Sequence, residues 1–297
     1  MSKGSLFWAN ASGKLGETVL YRSGGEQRTR TYVAKIKNPK TLAQMENRLS
    51  MRNFAQVYRA LQPILSKSFP NRAAKESGFN AFVKANKSIN SAVVSKAGAD
   101  AGLCVPYNMQ VSKGYLTQFG EFKTHKVFGD SIPCFDLMNH PNIAKITEVW
   151  TANAGGQVMT EAVLKQVWEA LQLPSNAVIS VIYCSYEDEG YRITYSQITK
   201  DTPTAALDAM KYRLYLEGGN QLGEEPHPCL SVGEGYEPSD MTCIIISWVD
   251  GNGKLQVTNS RIVPPSLESE YATQFVKGGD VYQQVLDAYG YTQGSTL

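Results

Sequence analysis

The sequence predicts an α+β protein: an N-terminal β-hairpin plus helical module, then a C-terminal mixed α/β or β-sandwich-like domain. Three observations predict it. Short β-favouring runs flank glycine turns in residues 1–36, a capped amphipathic helix follows, and the second half mixes hairpin signals with helical periodicity. The expected organisation is a basic hairpin-plus-helices module at 1–88, a Ser-, Ala- and Gly-rich linker at 89–115, and an acidic α+β or β-rich domain at 116–297.

Taken in order, Ser5-Leu6-Phe7-Trp8 reads as a short strand before a turn at Ser12–Gly16. Thr18–Arg22 then faces Arg28–Val33 across Ser23-Gly24-Gly25-Glu26, a hairpin signal. Thr41 precedes an apolar run with Gln44 three residues on, which is a capping box. The helix it starts should run from Leu42 to Leu61 and stop before Pro63, with Leu42, Met45, Leu49, Phe54, Val57 and Leu61 on one face. Arg48, Arg52 and Arg59 project within about 40° of one another beside that face, a basic ridge. A second helix is expected over Arg72–Lys87. Farther on, the pattern predicts a helix at Thr160–Leu171, strands at Ala177–Cys184 and Tyr191–Ile198 around the acidic turn Glu187–Gly190, a hairpin of Thr242–Val249 with Lys254–Asn259, and a final helix at Glu268–Ala288.

Net charge is only +2, yet residues 1–100 hold 17 Lys+Arg against 5 Asp+Glu, and residues 101–297 hold 12 against 22. A basic contact surface joined to an acidic body is implied. The five cysteines are widely spaced and form no CxxC pair, which points to buried thiols rather than a disulfide framework or zinc ribbon. No secretory signal and no stretch of membrane-spanning length is read, so the expected setting is the cytoplasm, without a membrane partner.

Catalytic chemistry finds no anchor. Gly13-Lys14 lacks the upstream glycine and following Ser/Thr of a phosphate-binding loop. His125 sits among lysines in a solvated setting, His140 precedes Pro141 in a loop, and a Cys134/His140 pair has nothing in the sequence to join it. His227-Pro228-Cys229 offers two metal ligands with no matching second pair, and Glu187–Glu189 reads as a solvated hairpin tip rather than a calcium loop. No enzyme activity, cofactor or metal is expected.

The basic third carries the sharper expectation. Arg22, Arg28, Arg30, Lys35, Lys37 and Lys40 lie on or just after the hairpin, interleaved with Tyr21 and Tyr32, and Arg48, Arg52 and Arg59 add the helical ridge. A two-stranded ribbon fits a duplex groove, and its cations neutralise phosphates with counterion release. The expected partner is nucleic acid, DNA or RNA, reached by both sets of cations in one exposed patch. The alternatives are docking on a protein partner or neighbouring subunit, a homo-oligomer included, and a merely solvated face.

Gly13-Lys14-Leu15-Gly16, Tyr21-Arg22, and Asn38-Pro39-Lys40-Thr41 with Ala43-Gln44 and Arg48 resemble an uncharacterised family of proteins from gut Bacteroidetes and their bacteriophages. Phe79–Asn86 is similar to that family's second signature, and beyond residue 88 only Gly253–Val257 is similar. The resemblance implies a phage or mobile-element setting, in the host cytoplasm or a virion, and with it the alternative of a virion structural component whose N-terminal module docks on a neighbouring subunit; it carries no activity with it.

Overall fold

Every strand and helix below belongs to a computed structural model that describes residues 12–23, 26–34, 41–89, 91–127, 130–153, 156–210, 213–219, 227–233, 239–264 and 270–289. The chain divides into two compact units, Met1–Gln44 and Met45–Leu297.

In the first unit, β1 (Gly13–Leu15), β2 (Thr18–Ser23) and β3 (Glu26–Thr31) form an antiparallel sheet in the order β1-β2-β3. The expected hairpin is present, registered from Thr18↔Thr31 to Ser23↔Glu26. Gly13–Leu15 is a strand rather than part of a turn, because the reversal is made by Gly16 and Glu17, with Gly16 at φ +59. The strand read at Ser5–Trp8 and the Gly24-Gly25 turn lie outside the described residues.

Helix α1 (Leu42–Ala60) starts as expected, with Thr41 Oγ1 accepting the Gln44 N–H at 3.4 Å. It buries Met45, Leu49, Phe54 and Val57, and Pro63 falls within the next short helix, α2 (Gln62–Leu65). The second expected helix starts later than read: α3 spans Gly78–Asn86, because Ser77 caps it by accepting the Asn80 N–H at 3.1 Å. Upstream, Glu76 turns back to accept the Ala73 N–H instead.

Residues 89–115 do not behave as a linker. Ala92, Val93, Val94, Cys104, Val105, Met109 and Val111 are all fully buried, and the segment holds α4 (Lys96–Asp100) and β4 (Gln110–Ser112). A Ser/Ala/Gly-rich composition suits close packing as well as flexibility, so the expected boundary at 88 is replaced by the division at Gln44/Met45. Two carboxamides hold the segment in place. Asn53 accepts from Val105 N–H at 2.7 Å and donates to Val105 O at 2.9 Å, while Asn86 does the same with Gln110 at 2.7 and 2.8 Å.

The remaining elements are β5 (Glu121–Val127), β6 (Asp130–Asp136), α5 (Ile143–Ala152), β7 (Gly156–Val158), α6 (Glu161–Ala170), β8 (Val178–Glu187), β9 (Gly190–Ile198), α7 (Thr204–Asp208), β10 (Arg213–Gly219), β11 (His227–Gly233), β12 (Met241–Val249), β13 (Leu255–Val257), β14 (Asn259–Arg261), α8 (Glu270–Thr273) and α9 (Asp280–Ala288). They build a seven-stranded sheet, β4-β14-β5-β6-β11-β10-β7, and a four-stranded sheet, β13-β12-β8-β9. Strand β12 of the smaller sheet touches β6, β11 and β14 of the larger, so the body is α+β with two apposed sheets. The expected strand Lys254–Asn259 divides at Thr258, where the chain passes from one sheet to the other. The expected final helix divides too, since Gly278 at φ +97 interrupts it between α8 and α9.

Asn53→Ala removes the two hydrogen bonds that Asn53 exchanges with Val105 in a buried site. Loss of about 3 kcal/mol of unfolding free energy is expected by urea denaturation. A loss below about 1 kcal/mol would show that the carboxamide does not hold the segment.

Candidate nucleic-acid interface

Strand geometry sorts the first unit's cations by face. Lys14 is opposite Val19, Val19 opposite Arg30, and Tyr21 opposite Arg28. Directly opposed residues share a face, so Lys14, Arg28 and Arg30 stand on one side with Tyr21. Arg22 is paired with Gln27 and shares the other face with Leu20, the one buried hydrophobic side chain among the described residues of this unit. Lys14 Nζ sits 3.6 Å from the centroid of the Tyr32 ring. Arg28 reaches Glu26 only at 3.8 Å, both side chains being exposed, so that pair is weak and salt-sensitive. Lys14 was not among the expected cations because its glycines read as a turn; the β1–β2 register, Lys14 opposite Val19, is what places it on this face.

The helical ridge behaves differently. Arg48 and Arg59 are exposed, and Arg59 Nη1 donates to Gln56 Oε1 at 3.3 Å. Arg52 is half-buried, with its guanidinium carbon 4.9 Å from the centroid of Tyr289. That stacking commits Arg52 to holding the C-terminal helix. The ridge belongs to Met45–Leu297 and the hairpin cations to Met1–Gln44, so each set is a surface of its own unit. Lys35, Lys37 and Lys40 lie outside the described residues.

The candidate catalytic groups separate. All five cysteines are buried free thiols, and burial pushes those of Cys104, Cys184 and Cys243 well above the ordinary range. His140 is buried against Phe119, with ring centroids 5.2 Å apart, and its Nδ1 accepts the Asn142 N–H at 3.2 Å. His125 is not solvated as its lysine neighbours suggested: it is partly buried, and desolvation, opposed by Asp136, lowers its pKa. The acidic tip is tied down rather than free. Glu187 takes a two-pronged ion pair from Arg192 at 2.6 and 3.0 Å, and Glu189 accepts from Ser95 Oγ at 2.8 Å. His227 and Cys229 acquire the third donor that the sequence lacked, Asp136 on β6.

No protein-family model, curated protein or solved structure matches this chain. Among the described residues, no helix is long and apolar enough to cross a membrane.

His140 yields a pH test. Burial lowers its pKa below the unfolded value of 6.5, and a proton on Nδ1 would break the bond from Asn142. The unfolded chain therefore binds that proton first as pH falls through 6.5. Stability is complete above that pH and declines below it, until the folded-state pKa is passed. The decline is at most about 1.4 kcal/mol per pH unit. His140→Gln should flatten this slope in urea midpoints measured between about pH 5 and 7; an unaltered slope would assign it to other groups.

Proposed function

We propose that the protein is a non-enzymatic, nucleic-acid-associated protein of phage or mobile-element origin, which grips the phosphate backbone with one face of its N-terminal sheet. The observation that carries this reading is the register that aligns Lys14, Arg28 and Arg30 on one face beside Tyr21. Three cations set by a strand register have a defined spacing, and a twisted β-ribbon follows a nucleic-acid groove. Arginine suits the task because its planar fork bonds phosphate oxygens in pairs. Tyr32, 40% exposed, offers a ring for an unpaired base. Backbone contact of this kind supplies affinity without sequence choice. Arg48 and Arg59 are exposed cations of the second unit and are not counted in this contact.

A second reading, a virion component docking on a neighbouring subunit, is favoured by one observation. Leu15 and Val33 are 52% and 59% exposed on this same small unit. Apolar side chains so placed gain from burial against a protein surface.

Ionic strength separates the two. Fluorescence anisotropy of the full chain with random-sequence oligonucleotides, between about 50 and 200 mM salt, should give an affinity falling as roughly the third power of salt concentration. The double variant Arg28→Ala/Arg30→Ala should reduce that exponent by about 2. Wild-type affinity and slope in the double variant would eliminate the nucleic-acid reading. Self-association that Leu15→Ser and Val33→Ser abolish, and that salt leaves intact, would favour docking.

A further inference from the structure

The seven-stranded sheet has two chemically distinct faces. Phe122, Phe135, Leu216 and Leu230 belong to the main hydrophobic core. Side chains one residue along each strand point the other way. On that opposite face, Asp136 and Cys229 are directly paired across β6 and β11, and His227 precedes Cys229 by two residues on β11. Their donor atoms, a carboxylate oxygen, an imidazole nitrogen and a sulfur, lie within 4.8 Å of one another. The closest pair is His227 Nε2 and Asp136 Oδ1, at 2.9 Å.

From this geometry we infer that Asp136, His227 and Cys229 form a binding site for a divalent transition-metal ion of the zinc class. One carboxylate, one imidazole and one thiolate are a donor set that such ions take from proteins, and the two anionic ligands balance a charge of +2. Metal–ligand bonds of about 2.0–2.3 Å in tetrahedral array set donor–donor edges of roughly 3.3–3.6 Å. Binding therefore needs the His227–Asp136 pair to open from 2.9 Å and any pair nearer the 4.8 Å limit to close, changes that side-chain torsions can carry. The backbone is already fixed: Pro228 locks φ between the two β11 ligands, and the Met138 N–H bonds Asp136 Oδ1 at 2.9 Å. Entry is open on one side, because the Asp136 side chain is 24% exposed, so water can fill the fourth position. Cys229 itself is only 3% exposed. That burial closes it to a substrate and argues against the same trio as a Cys-His-Asp nucleophile.

This site is independent of the nucleic-acid reading, and its test uses neither oligonucleotide nor activity. The purified full chain, stripped with a chelator, is titrated with Zn²⁺ against a chromophoric competitor, and native mass spectrometry reports stoichiometry. One ion per chain is expected, with affinity reduced about 10-fold or more by Asp136→Asn and by Cys229→Ser, and retained by His140→Gln. Co²⁺ in place of Zn²⁺ should give sulfur-to-metal charge-transfer absorption that Cys229→Ser removes. Circular dichroism and melting of the metal-free variants show whether they fold; should Cys229→Ser fail to, Cys229→Ala with the cobalt spectrum serves instead. Zn²⁺ binding no tighter in wild type than in folded Asp136 and Cys229 variants, or no charge-transfer band, would overturn the assignment.

Discussion

Buried peptide groups must be paired, and residues 91–112 meet that demand partly with side chains, which supplement the β4–β14 pairing and the Cys104–Tyr191 bridge. Asn53 and Asn86, one on each of two helices, each exchange two hydrogen bonds with a single residue, Val105 and Gln110, as an opposing strand would. Gln110 and Ser112 pass the linkage on, with Gln110 Nε2 donating to Ser260 O and Ser112 Oγ to Thr258 O. Thr258 in turn accepts the Ile246 N–H at 3.1 Å, at the point where the chain leaves one sheet for the other. Helices, connecting segment and both sheets are thereby joined through one polar chain inside an apolar core. Substituting any member leaves its neighbours unsatisfied, so the cost falls on the junction of both sheets rather than on one bond.

The same demand explains how the cysteines differ. Cys104, Cys184 and Cys243 are enclosed in the apolar core, where a thiolate has no compensating charge, and they pack as small hydrophobes. Cys229 is as deeply buried but stands on the polar face of the large sheet, beside a carboxylate and an imidazole. Burial alone therefore does not decide a thiol's chemistry. Which face of the strand it occupies does, and that is fixed by a one-residue register.

Local signals were legible wherever a side chain reports its own conformation. Thr41 caps α1 as read, the helix expected at Thr160–Leu171 is present with Thr160 Oγ1 accepting the Val163 N–H at 3.3 Å, and the Asp250–Gly253 turn closes with Asp250 Oδ1 accepting from Asn252 and Lys254. Strands β5, β6, β10 and β11 were not. Pro133 lies within β6 and Pro228 within β11, and proline demotes a strand pattern. Both lie outside the β6–β11 register, which runs from Cys134 to Asp136 and from Cys229 to Ser231, although Pro133 is opposite Thr124 of β5 and Pro228 opposite Gly218 of β10. Asp136 joins His227 and Cys229 only through that ladder, a long-range pairing no local spacing encodes. The cations were legible as a count but not as roles: nothing in the sequence separates Arg52, stacked on Tyr289, from exposed Arg48.

The small N-terminal sheet shows why those roles matter. With Leu20 as its one buried hydrophobic side chain among the described residues, it depends on cross-strand pairs rather than on a core. Tyr21 opposite Arg28, Val19 opposite Arg30 and Lys14 over Tyr32 are those pairs, and they involve the same cations that offer charge to a partner. Removing an arginine here therefore weakens the sheet and lowers its charge at once, and affinity alone confounds the two losses. Their dependence on salt does not. A packing loss shifts binding equally at every ionic strength, whereas a lost phosphate contact changes the exponent itself. A partner that binds only the folded sheet also stabilises it by mass action, so order in this unit and occupancy of its surface rise together.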